Sequence, residues 1–353
     1  MTSESLDSAP RISIVVPAHD NGRDLEECLA ALRGASTPDC EIVVVDDASS
    51  DDTPARAARA GARVLCLGTN RGPAAARNEG VRQSRGDILF FVDADVVVAN
   101  DAIRRVLATL QGEASPDAMF GSYDARPRAT GRVSQYRNLL HHHVHQTARS
   151  EASTFWAGCG AIQRRAFDTA GGFDERRYPK PSIEDIELGA RLCAAGYRIH
   201  LDKDLQGTHL KRWTLRSMVR TDLTRRAIPW ARLLLEHGAG PADLNLKPGQ
   251  RSSVALTALA LLCVALTPLR IELAGIAFLA VASILLINRE LFLFFARARG
   301  WRFAAACVPL HLLHYVCSGV GYLYAALERR VFTLLPPREL QSIAAVRRIG
   351  SGR

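Results

Sequence analysis

The stretch GDILFFVDADV, residues 86–96, runs five apolar residues, Ile88 to Val92, straight into two aspartates at i and i+2. A short apolar run bounded by charge reads as a buried strand, and Asp93 and Asp95 stand where that strand ends. A hard divalent cation takes carboxylate oxygens, so two acids at a strand end can set one side chain on a nucleotide and one on a metal. In a chain with 36 Asp and Glu the D-x-D pattern also arises by chance in solvated loops. Its neighbours decide its meaning.

Working outward, ISIVV (12–16), EIVVV (41–45) and ARVLCL (62–67) have the same strand character. Between the strands lie DLEECLAALRG, TPARAARAG and GPAAARNEGVRQ, with apolar or alanine positions at helical spacing and a glycine near each end. Repeated strand–helix units predict a parallel sheet covered on both faces, with ligands bound outside the carboxyl ends of its strands. Asp46 and Asp47 follow the second strand as Asp93 and Asp95 follow the fourth.

The whole chain has 353 residues, 48% of them hydrophobic, and a net charge of +9. That excludes disordered, collagen-like and disulfide-stapled classes. The eight cysteines contain no C-x-x-C pair, so they read as reduced, buried thiols of a cytosolic compartment. Residues 1–10 have neither a basic start nor an apolar core, so they read as a disordered N-terminus and not a signal peptide. After Ser252 the solvent changes. Stretches 252–269, 271–287 and 303–327 are long and nearly free of charge, which predicts about three membrane-crossing helices within 252–327. The third, with Pro309, His311 and His314, also suits a helix in the membrane plane. Segment 208–251 carries nine Lys or Arg against three acids, which places it and the preceding domain on the cytoplasmic side of a cell membrane. Three crossings would put the tail 328–353 outside, yet its six Arg against two Glu prefer the inside. No nucleic-acid motif accompanies the basic charge, so no nucleic-acid partner is expected.

VVPAHDNG (15–22), VVVDDASSDDT (43–53), NRGPAAARNEG (70–80) and GDILFFVDADV, in that order, resemble the nucleotide-sugar half of a family 2 glycosyltransferase. The resemblance covers about residues 11–240 and implies an α/β GT-A fold, a Rossmann-like, mainly parallel sheet over 11–207. It implies that Pro17 and His19 lie beside base and ribose, and that Asp47, in preference to Asp46, hydrogen-bonds the base. Asp93 would lie near ribose and metal, and Asp95 would bind Mg²⁺ or Mn²⁺ directly. Arg77 either supports this pocket or forms a helix-surface salt bridge.

FWAGCGAIQRRAFDTAGGFDE (155–175) is similar to the family's acceptor-side segment, where Gly158, Gly160, Gly171 and Gly172 allow sharp turns or close approach. In SIEDIELGARLCAAGY (182–197) Glu184 and Asp185 match the family's E-D motif, which makes Asp185 the general base. HLKRW (209–213) resembles the Q-x-x-R-W motif of membrane synthases with His209 in place of Gln. There Arg212 would hold the leaving diphosphate and Trp213 would stack on an acceptor, or both would anchor an interfacial helix. The helix-like run 216–236, with Arg216, Arg220, Arg225 and Arg226, is expected to break at Pro229. The run HHHVH (141–145) lacks a third ligand nearby and reads as a mobile, partly basic flap, not a metal site.

Together these readings predict an inverting, metal-dependent glycosyltransferase that moves a sugar from a nucleotide-sugar, by resemblance a UDP-sugar, to a membrane lipid or lipid-linked acceptor. A processive polysaccharide synthase and a non-catalytic membrane scaffold are the alternatives. A nucleotidyltransferase would need a Gly-rich basic loop where PAHDNG stands.

Overall fold

A computed structural model describes residues 11–237 and 248–334. The expectations for residues 1–10 and for the tail beyond 334 lie outside the described residues.

The first half builds as its periodicity dictates. Strands β1 (Ile12–Ala18), β2 (Cys40–Asp46), β3 (Arg63–Cys66) and β4 (Ile88–Val92) alternate with helices α1 (Gly22–Ala35), α2 (Thr53–Arg59) and α3 (Pro73–Arg82). These strands pair in parallel in the order β3-β2-β1-β4. Alternation along β1 sends Ile12, Ile14 and Val16 into one core cluster and Val15, with Val43 and Val45 of β2, into the other. Helix α1 closes the first face with Leu25, Cys28, Leu29 and Leu32, one stripe at i, i+3, i+4, i+7. Helix α3 closes the second. Its Gly80 lies so near β1 that an added Cβ would overlap Val15.

Beyond Asp95 the sheet departs from the parallel expectation. β5 (Val96–Val98), α4 (Ala102–Leu110), β6 (Ala118–Tyr123), α5 (Arg132–Gln146), β7 (Glu151–Ala152), β8 (Cys159–Gln163), α6 (Arg164–Thr169), α7 (Glu184–Ala194) and β9 (Ile199–His209) follow. The full order is β3-β2-β1-β4-β8-β6-β9-β5, with β7 on β9. β8 is antiparallel to β4 and β6, and β5 and β7 are antiparallel to β9, so the sheet is mixed, not mainly parallel. This reversal has a consequence for the site. Val92 pairs with Cys159, and the Asp93 N–H donates to Gly158 O at 3.1 Å, so the acceptor-side segment lies directly on the carboxyl end of β4.

The remaining chain is helical: α8 (Leu215–Arg220), a π-helical segment Thr221–Ala227, α9 (Ile228–His237), α10 (Pro248–Leu266), α11 (Leu273–Ile287), α12 (Arg289–Arg299) and α13 (Trp301–Leu334). Pro229 does not break the run from 215 to 237. Proline has no N–H to give the carbonyl four residues back, and the Ser182 hydroxyl donates to that carbonyl, Arg225 O, at 3.1 Å instead. Helix α10 and helix α13 are each long and apolar enough to cross a bilayer, whereas α11 qualifies only when joined to α12 across a 68° bend. The expectation thus changes places. The stretch 271–287 forms a 15-residue helix, about 22 Å long, and 303–327, the less regular segment by sequence, lies within a 34-residue helix. All eight cysteines are free, but Cys66 is exposed and Cys40 and Cys193 only half-buried, so the expectation of uniformly buried thiols is corrected.

Candidate active site

The carboxyl ends of β1, β2 and β4 open on a cavity of about 1370 Å³. Pro17, His19, Asp47, Arg77, Asp93, Asp95, Glu184, Asp185 and Trp213 all line it; Arg212 and Asp46 do not.

Asp47 is buried, and its two carboxylate oxygens accept the N–H groups of Arg71 and Gly72, each at 2.7 Å. These bonds fold the loop before α3 against the end of β2. Gly72 permits this loop because its φ is +86° and an added Cβ would lie 2.5 Å from Pro179 O. Asp46 is also buried but turns inward, accepting the Ser49 N–H at 3.2 Å. His19 is exposed at the rim, 3.5 Å from Asp20.

Asp93, Ala94, Asp95 and Val96 form a tight turn closed by Val96 N–H to Asp93 O at 3.0 Å. One Asp93 oxygen accepts from Arg77 at 2.7 Å. The other Arg77 arm donates to Glu184 at 3.0 Å. Arg77 is therefore neither a helix-surface residue nor a cation free to reach phosphate. It is a buried link between the D-x-D turn and the start of α7, lying 5.5 Å from the Phe173 ring centre. Glu184 spends its second oxygen on the Ser182 N–H at 2.9 Å.

Asp185 accepts N–H groups from Ala157, at 3.1 Å, and Ile186, at 2.8 Å. Burial, reinforced by the charge of Glu184 and opposed by Arg77 and these N–H groups, pushes its pKa up to about 7. A carboxylate held there takes and returns protons near neutrality. One turn later, Gly189 brings α7 onto the backbone of Thr154 and Phe155, where an added Cβ would overlap. Gly189→Ala should accordingly destabilise the chain by about 1–3 kcal/mol, although alanine favours a helix by ~1 kcal/mol. Chemical denaturation measures it; a stabilised variant would mean that this contact does not position α7.

At the end of β9 the extended chain alternates its side chains, so His209, Lys211 and Trp213 face the cavity and Arg212 faces solvent. His209 Nε2 lies 3.7 Å from the Asp95 carboxylate and Lys211 Nζ 3.8 Å from it. Lys211, not Arg212, is the cation beside the D-x-D acid. Period-two alternation counted from His209 reaches Lys211 only once the chain is known to stay extended beyond the end of β9. Burial raises the Asp95 pKa, but His209 and Lys211 outweigh that and hold it below the ordinary carboxylate range. His209 stacks on Tyr123 with ring centres 4.2 Å apart.

The HHHVH run is no flap. It lies in α5, where His145 is buried with Nδ1 3.0 Å from Gly121 O, and burial lowers its pKa to about 4. Burial, with His145 beside it, also holds His141 neutral, 4.7 Å from the Trp156 ring. Sequence reasoning also missed a second buried ion pair at the cavity wall, Arg137 to Asp222 at 2.6 Å. Its partners are 85 residues apart, and no local signal joins them.

Residues 13–171 match the sequence profile of Glycosyl transferase family 2. The Haloferax volcanii glycosyltransferase AglE is 31% identical over 210 residues, which are 57% of this chain and 67% of AglE. The chain belongs to glycosyltransferase family 2. Staphylococcus aureus TarS (residues 1–349, solved with UDP-GlcNAc) superposes with a TM-score of 0.50 over 90% of this chain and 92% of TarS. At 16% identity that likeness shows the fold alone, a large mixed sheet of the GT-A type. An N-acetylglucosaminyltransferase of Azorhizobium caulinodans is 31% identical over 220 residues, 56% of this chain. This family 2 chain spans 54% of that relative and 32% of the succinoglycan biosynthesis protein ExoO of Rhizobium meliloti. The profile match takes in Asp47, Arg77, Asp93 and Asp95 and ends before α7.

Proposed function

We propose that this family 2 chain is an inverting glycosyltransferase that moves a sugar from a nucleotide-sugar, with UDP the preferred nucleotide, to a lipid or lipid-linked acceptor at the cytoplasmic membrane face. One observation carries the reading. The cavity lined by Asp47, Asp93, Asp95 and Asp185 is also lined by Val254 and Ala258 of α10 and by Tyr322 and Leu323 of α13. Donor-side acids and apolar helices thus share one space, as an acceptor with a polar head and an apolar tail requires. Arg225, Arg226 and Arg251 line the apolar end, and among the described residues none of the three is ion-paired. They suit an anionic head.

Asp47 and Pro17 would border the base, and Asp93 the ribose. The D-x-D acids also fit a divalent cation. Arg77 engages one oxygen of Asp93, and the nearest side-chain nitrogens to the Asp95 carboxylate, of His209 and Lys211, stand 3.7 and 3.8 Å away, which leaves carboxylate lone pairs for a cation. Among the described residues no group of three or more His, Cys, Asp or Glu forms a closed metal cage. In this reading Mg²⁺ or Mn²⁺ would be held by Asp95 and Asp93 together with donor phosphate oxygens and water. Such a cation, when bound, supplies Lewis-acid neutralisation of the departing diphosphate.

The chain's own residues do the rest. Asp185 accepts the proton of the attacking hydroxyl as that oxygen closes on the anomeric carbon opposite the nucleotide. One displacement with one base inverts the centre. Lys211, 3.8 Å from Asp95, adds positive charge where the diphosphate leaves. Trp213 closes the floor of the site.

Full-length protein, a radiolabelled nucleotide-sugar and extracted membrane lipids provide the test. Label is expected in the lipid phase; label only in water-soluble product, or in a long polymer, overturns the lipid-acceptor reading. Asp95→Ala should weaken Mn²⁺ binding by ~10-fold or more, the scale of a disturbed ligand set, and remove divalent stimulation while the fold survives. Mn²⁺ titration followed by electron paramagnetic resonance reads the first effect without turnover. Unchanged binding would take Asp95 out of the metal site.

A further inference from the structure

The length and composition of α13 qualify it as a membrane span, but its contacts do not fit one. At its start Ala304 and Cys307 share a core cluster with Tyr136, Leu139, Trp213 and Met218 of the catalytic side. One turn on, His311 Nδ1 lies 3.0 Å from the Tyr136 hydroxyl, and His314 Nδ1 lies 3.5 Å from Asp222. Gly321 packs on Ala227 of the π-helical segment, where an added Cβ would overlap. Near its end Glu328 takes both arms of Arg232 at 2.6 and 3.0 Å, and Arg329 donates to Leu235 O.

Helix α9, which receives those last contacts, is itself fastened to the catalytic domain. Leu233 clusters with Tyr178 and Ile183, and Glu236 pairs with Arg177 at 2.6 Å. So α13 touches the catalytic body or its docked arm from Ala304 to Arg329, a length of about 38 Å at 1.5 Å per residue. A helix standing upright across ~30 Å of hydrocarbon would put its two ends on opposite sides of the bilayer, although Ala304 and Cys307 at one end and Glu328 and Arg329 at the other are held by the same catalytic body and its docked arm.

The opposite face of α13 is apolar and exposed. Val320, Leu323, Leu327 and Val331 form one stripe at helical spacing, with Trp301, 69% exposed, at the amino end. Helices α10 and α11 return to their starting side. Asn288, just after α11, donates to Ser253 near the start of α10 at 3.1 Å, so α10 and α11 form a closed hairpin. The 68° bend then lays α12 against the catalytic side, where Arg299 donates to Gln135 at 2.8 Å and to Ala125 O at 2.8 Å.

We infer that α13 lies in the plane of the membrane surface, its Val320–Val331 stripe in the lipid and its other face against the catalytic domain, while only the α10–α11 hairpin inserts. The carboxyl end of α13 then stays on the catalytic side, where a basic tail belongs. The part of the cavity lined by α10 and α13 then lies at headgroup height. This placement rests on the membrane association proposed above and not on glycosyl transfer.

The test uses the full chain in phosphatidylcholine–phosphatidylglycerol vesicles, with a nitroxide introduced as an unnatural residue at position 320, 327 or 331, leaving the eight cysteines untouched. An in-plane helix places the three labels within ~5 Å of one depth. An upright helix separates positions 320 and 331 by about 16 Å. Graded depths, or a carboxyl-terminal reporter found opposite the catalytic domain, overturn the inference. If the protein fails to float with vesicles, the membrane association falls with it, and transfer to soluble acceptors, assayed in parallel, shows whether the glycosyltransferase reading stands.

Discussion

Asp185→Asn is expected to keep donor affinity close to that of the parent protein and to lower sugar transfer by ~10²-fold or more, the scale of a positioned general base. The amide keeps the shape and can still accept the Ala157 N–H that fixes the side chain. It cannot accept the proton. The pH profile gives an independent reading. Burial and Glu184 set the pKa of Asp185 at about 7, and the base works only when ionised. Transfer should therefore rise with pH through about 7 and level off above it, and in the asparagine variant this rise should vanish. Donor affinity measured by calorimetry and single-turnover transfer separate the steps. If affinity collapses while bound donor still turns over normally, Asp185 is a binding residue.

Replacing Arg77 should cost more in stability than any other change at the site. Its guanidinium pairs with Glu184, whose side chain is 6% exposed, and with Asp93. Arg77→Met keeps most of the volume but leaves Glu184 buried beside Asp185 without its cation. Removing one partner of a buried pair costs about 3–5 kcal/mol. Part of the loss should return in Arg77→Met combined with Glu184→Gln, since the second change removes the stranded charge. Asp185 loses its largest pKa-lowering influence as well, so the rising limb of the transfer profile should move to higher pH in the single variant. Denaturant unfolding measures the first effect, and a loss below about 0.5 kcal/mol, the scale of an ordinary surface change, would show that Arg77 does not join the two motifs.

Some features of this chain were decided locally and were legible in its residues. Apolar runs of strand length fixed β1 to β4, helical spacing fixed α1 and α3, and the acids after β2 and β4 had to gather at one edge because parallel strands end together. Asp47, Asp93 and Asp95 are therefore found where periodicity places them. The E-D pair was visible too, as acids opening the first turn of an amphipathic helix.

What tertiary structure alone decided depends on contacts between distant residues. Arg77 meets Glu184 across 107 positions and Arg137 meets Asp222 across 85, and no window of sequence contains both partners. The choice of Lys211 over Arg212 required knowing that the chain stays extended past β9. The histidine run read as basic because free imidazoles titrate near neutrality, but burial of His141 and His145 in α5 removes the water that would solvate a charge on either ring. Hydropathy measured how apolar α13 is and could not tell which way it lies. The same apolar stripe suits a span or a surface helix, and the difference is set by polar contacts along its other face, from His311 to Glu328, that hold the helix against the catalytic domain.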